Sequence, residues 1–325
     1  MVNKKHRVIK NFGFFILIML IVLFCLFPFI QMLSTSLKYS WDWGNPSLIP
    51  TEINTEAYTE ILNINTSGEE EVIEIPASVM KLMDDNPDLT EAQKTAILSK
   101  YTDTSDVFPF KSYFLNSLKF SLIASICAIT IAIFGAYSIS RMKYRGQKII
   151  QRGVLFVYMV GGILLLIPLY KISVTLGLTS SKGGTTFSLV VIYMVQTLPV
   201  CLYMLGNSFR SIPFSIEEAA FIEGYTRFQT IVKIIIPLSI GAIATVFSYA
   251  FMIAWNEYLF ASVFLKSYVD MYTLPIALKA LFVSKNAIWD RVSAASLLTA
   301  IPVIVLFMLV QRFLSGDTTE GGVKE

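Results

Sequence analysis

Glu217, Glu218 and Glu223 share one polar stretch, Ser211 to Pro237, that separates two long apolar runs. Carboxylates do acid–base work when a histidine, a nucleophile or a second acid faces them in a cleft. That company is missing. The only histidine is His6, flanked by Lys5 and Arg7, and neither H-E-x-x-H nor G-x-S-x-G occurs anywhere. Cys25, Cys127 and Cys201 each lie inside an apolar run without a C-x-x-C neighbour, so they read as small hydrophobes, and one histidine cannot build a metal site. What the three carboxylates can do is recognise a basic surface by charge. Ala219 and Ala220 beside them keep a helix face flat enough for another protein surface to come close.

Local signals say how these residues are held. Ser215 with Glu218 three positions on has the form of a capping box opening a helix. Gly224 adopts positive φ at no steric cost, ends that helix and turns the chain. Thr226 with Gln229 forms a second capping box, opening a helix that leads into the next apolar run, and Pro237 kinks or resets it. The product is a short, L-shaped helix–turn–helix. From these residues alone it is equally a docking element for another protein and an ordinary interfacial hairpin between spans.

The surroundings are lipid-compatible. The 325 residues are 54% hydrophobic and 15% charged, with a mean hydropathy of +0.63, where a soluble chain carries about 25% charged residues. Stretches of the length a bilayer requires run from Phe12 to Leu33, Leu118 to Ser140, Gly153 to Tyr170, Phe187 to Leu205, Ile234 to Phe260 and Ala294 to Phe313. The first is too long for the apolar core of a signal peptide, and Leu33-Ser34-Thr35 lacks an Ala-x-Ala cleavage pattern, so it reads as a retained helix. The fold class expected is all-α, a polytopic membrane protein with six transmembrane helices.

Charge orients them. Lys4, Lys5, Arg7 and Lys10 precede the first span, and Arg141, Lys143, Arg145, Lys148 and Arg152 follow the second, in both cases without an acid. Between them lies an acidic segment carrying Glu69, Glu70, Glu71, Glu74, Asp84, Asp85 and Asp88. The alternation puts both termini in the cytoplasm and the acidic insert outside. Within the insert, Thr90-Glu91-Ala92-Gln93 opens one short helix and Pro76 to Met80 can start another. The Gly183-Gly184 pair, in the loop Lys171 to Thr186, reads as a turn. The organisation expected is a cytoplasmic N-terminus and first span (1–33), the insert (34–114), a core of five spans (115–316) holding the polar loop 211–238, and a cytoplasmic tail (317–325).

Glu218-Ala219-Ala220, Gly224 four residues after Ala220, then Ile234 and Pro237-Leu238 resemble the EAA loop of binding-protein-dependent ABC importer permeases. The family pattern is E-A-A, three residues, G, nine residues, then I-x-L-P; here Glu223 stands where aspartate is common and Ile236 where leucine is usual. The resemblance is to the carbohydrate type, the smaller membrane subunit of maltose-type transporters, and covers the first span and roughly Phe110 to Glu325. Ala254-Trp255-Asn256-Glu257-Tyr258, Tyr272-Thr273-Leu274-Pro275 and the tail Thr319 to Lys324 carry it further.

The resemblance implies the type I importer permease fold. It implies a second homologous permease, a dimeric cytoplasmic ATPase and an extracytoplasmic solute-binding protein as partners, with membrane lipid around them and no nucleic acid. The first loop helix would dock in a cleft of the ATPase, with Glu218 paired to an arginine there, Ala219 and Ala220 packed tightly, and Gly224 setting the bend. Glu217, Glu223 and Pro237 belong to the same coupling element, and Gly321, Gly322 and Val323 are candidate tail contacts. No cofactor is bound and the chain is no enzyme: no G-x-x-x-x-G-K-[ST] is present, and ATP is hydrolysed by a separate subunit.

Polar or aromatic groups within the spans include Tyr158, Tyr193, Gln196, Tyr249, Trp255, Asn256 and Glu257. Tyr249, Trp255 and Asn256 are the candidate substrate path; the alternative is interfacial aromatics and inter-helix hydrogen bonds. Glu257 reads as a helix cap. An ion-coupled secondary transporter would need ionisable residues deep in the membrane, and the deep parts of the spans contain none. A sugar, an oligosaccharide ahead of a monosaccharide, is the expected cargo; an amino acid, peptide or phosphate is the alternative.

Overall fold

The computed structural model describes residues 4–62, 109–159, 162–283 and 289–316. Among them all regular structure is helical. In hydrocarbon a backbone must satisfy its own N–H and C=O groups, and a helix does so within one segment. The expected helices at residues 76–80 and 90–98, and the acidic run between Glu69 and Asp88, lie outside the described residues.

Helix α1 spans Lys4–Ser36, α2 Glu56–Leu62, α3 Phe110–Arg141, α4 Gln147–Met159, α5 Gly162–Thr175 and α6 Lys182–Ser211. Next come α7 (Phe214–Ile222), α8 (Arg227–Leu238), α9 (Ile240–Trp255), α10 (Leu259–Phe264), α11 (Leu274–Val283) and α12 (Trp289–Gly316). Among the described residues four helices are long and apolar enough to cross a membrane: Gly13–Ser36 within α1, then α3, α6, and Trp289–Phe313 within α12. They coincide with the first, second, fourth and sixth apolar stretches. The fifth is a pair, α8 and α9, bent by 84°. The third is spread over α4 and α5, neither of which reaches that length alone.

The chain forms two compact units. The first comprises Met1–Lys111 and Ile288–Leu297. There the buried Lys38 donates from Nζ to the carbonyls of Asn45 at 2.8 Å and Ser47 at 2.7 Å. Asp42 accepts from the Thr51 backbone N–H at 3.1 Å and from Asn45 Nδ2 at 2.9 Å, which holds its carboxyl below the usual carboxylate range. Polar side chains thus fold the segment after α1 through local turns.

The second unit comprises Ser112–Ala287 and Leu298–Glu325. One apolar cluster gathers Phe120, Leu189, Tyr193, Phe260, Phe264 and Leu265. Another gathers Ala136, Tyr137, Leu205, Phe209, Ile231 and Ile235, joining the C-terminal ends of α3 and α6 to α8. At Gly135 the two long helices come so close that a Cβ would lie 2.5 Å from Leu202 Cδ2. At the other end, Ser117 Oγ accepts from the Leu274 backbone N–H at 2.7 Å and Asn116 Nδ2 donates to the Asp270 carbonyl at 2.8 Å, so the Tyr272–Pro275 segment is tied to the start of α3.

The Gly183-Gly184 expectation needs correction. Both residues lie in the first turn of α6, whose N-cap Ser181 accepts from the Gly184 N–H at 3.1 Å. Gly184 is required there for a different reason: a Cβ would collide with the Leu178 carbonyl. The turning glycine is Gly177, at φ 71°.

Candidate coupling interface

Ile212 precedes a proline and is held extended (φ −74°, ψ 129°), which stops α6. Pro213 then serves as N-cap of α7 at φ −57°, ψ 134°. The Ser215 capping box is therefore not formed: α7 begins at Phe214, Ser215 is already inside it, and no side chain caps its start. The other end follows the sequence reading. Gly224 has φ +86°, its N–H donates to the Phe221 carbonyl at 3.1 Å, and the Tyr225 N–H reaches back to the Ala220 carbonyl at 3.0 Å. That is a Schellman termination, which glycine makes without strain.

The Thr226–Gln229 capping box is present in both directions, with Thr226 N donating to Gln229 Oε1 at 2.8 Å and Gln229 N to Thr226 Oγ1 at 3.3 Å. Residues Ile231–Ile235 of α8 form a π turn, and the helix breaks at Ser239, two residues past Pro237. Proline has no N–H for the preceding turn, so the bend falls where the ladder is already interrupted.

Helix α7 has two unlike faces. Glu217 and Ala220, one turn apart, face inward, and Glu217 is only 1% exposed. Its Oε1 lies 3.1 Å from Nε of Arg141, and its Oε2 accepts from the Tyr137 hydroxyl at 2.9 Å. A cavity of about 530 Å³ opens beside the pair, lined among others by Lys143, Phe221 and Arg227. The outward face carries Glu218, Ala219, Ile222 and Glu223, all exposed, with Ile222 at 88%. Of the three carboxylates, Glu218 and Glu223 are thus the ones presented to solvent. Of the two alanines only Ala219 is outward. An apolar side chain framed by two acids and a small residue can seat in a basic-rimmed cleft on another protein.

Residues 120–318 match the family model of the binding-protein-dependent transport system inner membrane component. The chain belongs to that family. This permease resembles the inner membrane ABC transporter permease protein YcjP of Escherichia coli (strain K12), 37% identical over 98% of this chain and 99% of that protein. It also resembles the maltose/maltodextrin transport system permease protein MalG of Yersinia pestis, 27% identical over 100% of this chain and 97% of that one. In three dimensions it matches a chain of a bacterial ABC transporter that imports the acidic polysaccharide alginate, with TM-score 0.68, 20% identity and 96% and 99% coverage. The protein is an inner-membrane permease subunit, and ATP hydrolysis belongs to a separate subunit.

The candidate path residues are not brought together. Trp255 is buried, stacked on Phe251 at 5.6 Å and edge-on to Phe114 at 5.7 Å. Asn256 is exposed and donates from Nδ2 to the Met252 carbonyl of its own helix. Tyr249 lines a cavity of about 320 Å³, with Tyr158 and Gln196 as the other polar side chains and Ile253, Leu169 and Phe260 among the apolar ones. Glu257 caps α10, accepting from the Phe260 and Ala261 N–H groups at 2.8 and 3.0 Å, in agreement with the sequence. The tail residues Gly321, Gly322 and Val323 lie outside the described residues.

Arg141, Tyr137 and Ile222 escaped the sequence reading. Arg141 ends an apolar run within a basic cluster and is indistinguishable there from an orienting charge. Ile222 did leave a signal: it lies off the helical stripe that Glu217 and Ala220 define, on a helix too short to need a second apolar face.

Proposed function

We propose that this permease is the coupling-loop subunit of an ATP-driven importer for a sugar, an oligosaccharide by preference. The outward face of α7 docks in the ATPase: Glu218 pairs with an arginine there, Ala219 packs, Ile222 anchors, and Glu223 adds charge. Gly224 and Pro237 fix the angles at which α7 and α8 leave each other and enter the membrane. A second homologous permease completes the pore, an extracytoplasmic binding protein delivers the sugar, and the tail with Gly321, Gly322 and Val323 reaches the ATPase dimer. The observation carrying this reading is the exposed Glu218–Ala219–Ile222–Glu223 face next to a left-handed Gly224. For the sugar, the support is the set of MalG relatives, 26–32% identical over 68–100% of this chain.

Six spans with both termini in the cytoplasm follow if α4–α5 and α8–α9 each count as one crossing. The contacts of Arg141 with the backbone at the end of α6 support that parity, because the basic loop after α3 and the coupling loop then lie on one side. In the same reading the organisation is 1–33, 34–114, 115–316 with the loop 211–238, and 317–325. A cysteine replacing Ser215, in a chain freed of Cys25, Cys127 and Cys201, should resist a membrane-impermeant maleimide in intact cells and react in inverted vesicles. Reaction from outside intact cells would invert the topology and end the proposal.

The sugar path passes the Tyr158–Gln196–Tyr249 cavity. Paired hydroxyl and amide groups on an apolar wall suit a polyol that exchanges hydrogen bonds as it moves. Replacing Tyr249 with Phe keeps the ring and removes one hydrogen bond, so uptake of a maltooligosaccharide should fall about threefold to tenfold while ATPase recovery stays unchanged. Undiminished uptake in that variant would take Tyr249 out of the path.

A further inference from the structure

Arg141 ends α3, yet its side chain reaches two other elements, α6 and α7. Its Nε lies 3.1 Å from Glu217 Oε1 on α7. Its Nη2 donates to the carbonyls of Phe209 and Ile212, where α6 stops. Its Cζ sits 5.9 Å from the centre of the Phe214 ring, the first residue of α7. Tyr137, one turn back on α3, donates to the second oxygen of the same carboxylate at 2.9 Å. The side chains of Arg141 and Glu217 are 8% and 1% exposed. A further anchor lies nearby: Phe134 of α3 stacks on Phe228 of α8, ring centres 5.9 Å apart and planes within 6°.

A planar guanidinium can serve a carboxylate and two carbonyls at once, which the point charge of an ammonium cannot do with the same geometry. A buried pair of this kind adds little net stability over an apolar substitute, but it fixes one arrangement, since removing either partner strands the other's charge. At the end of α6 the Phe209 carbonyl already accepts from the Ile212 N–H at 3.2 Å. A cation from another helix adds a second partner there and takes the Ile212 carbonyl as well, where the helix terminus favours positive charge.

We propose that Arg141, with Tyr137 and Glu217, is a positioning latch that makes α7 one rigid body with the ends of α3 and α6. The proposal rests on the coupling role given to α7 above. A helix docked in a closing ATPase transmits displacement to the spans only if it does not swing on its own connections. Those connections are short but single-stranded: Pro213 on one side, and Gly224 with Tyr225 on the other. The latch removes that freedom from the face opposite the docking surface. Glu217 is therefore the inward counterpart of Glu218, one carboxylate fixing the helix to its own chain and the next meeting the partner.

The test is a distance measured by spin labels at Ser215 on α7 and Ile131 on the exposed face of α3, in a chain lacking its native cysteines and purified with its co-purifying ATPase. The wild-type sequence should give a single distance that is the same without nucleotide and after trapping with ATP and vanadate. Glu217→Gln and Arg141→Lys should still recover the ATPase, but lose the single distance in the trapped state. Retention of one unchanged distance in both variants overturns the latch. Disappearance of both variants from the membrane overturns it too, because the contacts would then serve folding alone. If no ATPase accompanies the wild-type chain, the coupling role itself falls, an outcome separable from a failure of the latch.

Discussion

Replacing Gly224 with Asp should abolish uptake while leaving the amount of permease in the membrane unchanged. Within this chain nothing lies within 4 Å of where a Cβ would stand, so the effect does not come from a clash inside the permease. It comes from the backbone: at φ +86° an L-residue is strained by roughly 1–2 kcal/mol, somewhat less for Asp or Asn. That is too little to unfold a chain held by two apolar clusters. It is enough to shift the Schellman turn, whose N–H groups set the angle between α7 and α8. Aspartate also adds a third negative charge beside Glu218 and Glu223, on the face that must enter the partner. Gly224→Asn separates the contributions, because asparagine tolerates the left-handed region and carries no charge. It should retain a measurable share of uptake, whereas Gly224→Val, β-branched and badly suited to positive φ, should retain none. Normal uptake by the aspartate variant, read with membrane levels by immunoblot, would remove the bend from the mechanism.

The features that local rules govern were legible. Gly224 and the Thr226–Gln229 box act on their own backbone neighbours, and both stand where the sequence puts them. The apolar stretches translated into α1, α3, α6 and α12 because twenty apolar residues leave a membrane chain few other choices. Ser215 misled because Pro213, two residues earlier, had already imposed the extended geometry that a cap requires, so the helix started before the serine could act. The 84° break between α8 and α9 was only half legible. Pro237 announces a defect, but not the π turn at Ile231–Ile235 before it, whose Ile231 and Ile235 are buried in the cluster with Leu205 and Phe209, residues distant in sequence.

The division of labour between Glu217 and Glu218 could not be read at all. Two adjacent glutamates are equivalent until something distant selects one, and the selecting group is Arg141 at the end of another helix. The path residues show the same limit. Trp255 and Asn256 look like sugar ligands by type, yet packing against Phe114 and Phe251 decides where Trp255 points, and no local pattern records that.

The largest effect on partner binding is expected from Ile222. It is 88% exposed in this chain, so Ile222→Asp should cost the fold almost nothing. In a cleft of the ATPase the same side chain would be removed from water, worth about 1.5–3 kcal/mol for a fully buried isoleucine. Aspartate forfeits that gain and places a carboxylate against apolar surface, so recovery of the ATPase in a detergent pull-down should fall by at least about tenfold to a hundredfold in affinity. Glu218→Lys acts through charge instead: a lysine facing the partner's arginine turns attraction into repulsion, and its effect should weaken as salt screens the pair. Ile222→Asp should be nearly indifferent to salt. That contrast distinguishes a docking face with an apolar anchor and an ionic rim from one held by charge alone. If both variants recover the ATPase as well as the unaltered chain does, α7 is not the surface the ATPase grips. The exposed isoleucine would then be only a lipid-side or solvent-side accident of a short interfacial hairpin.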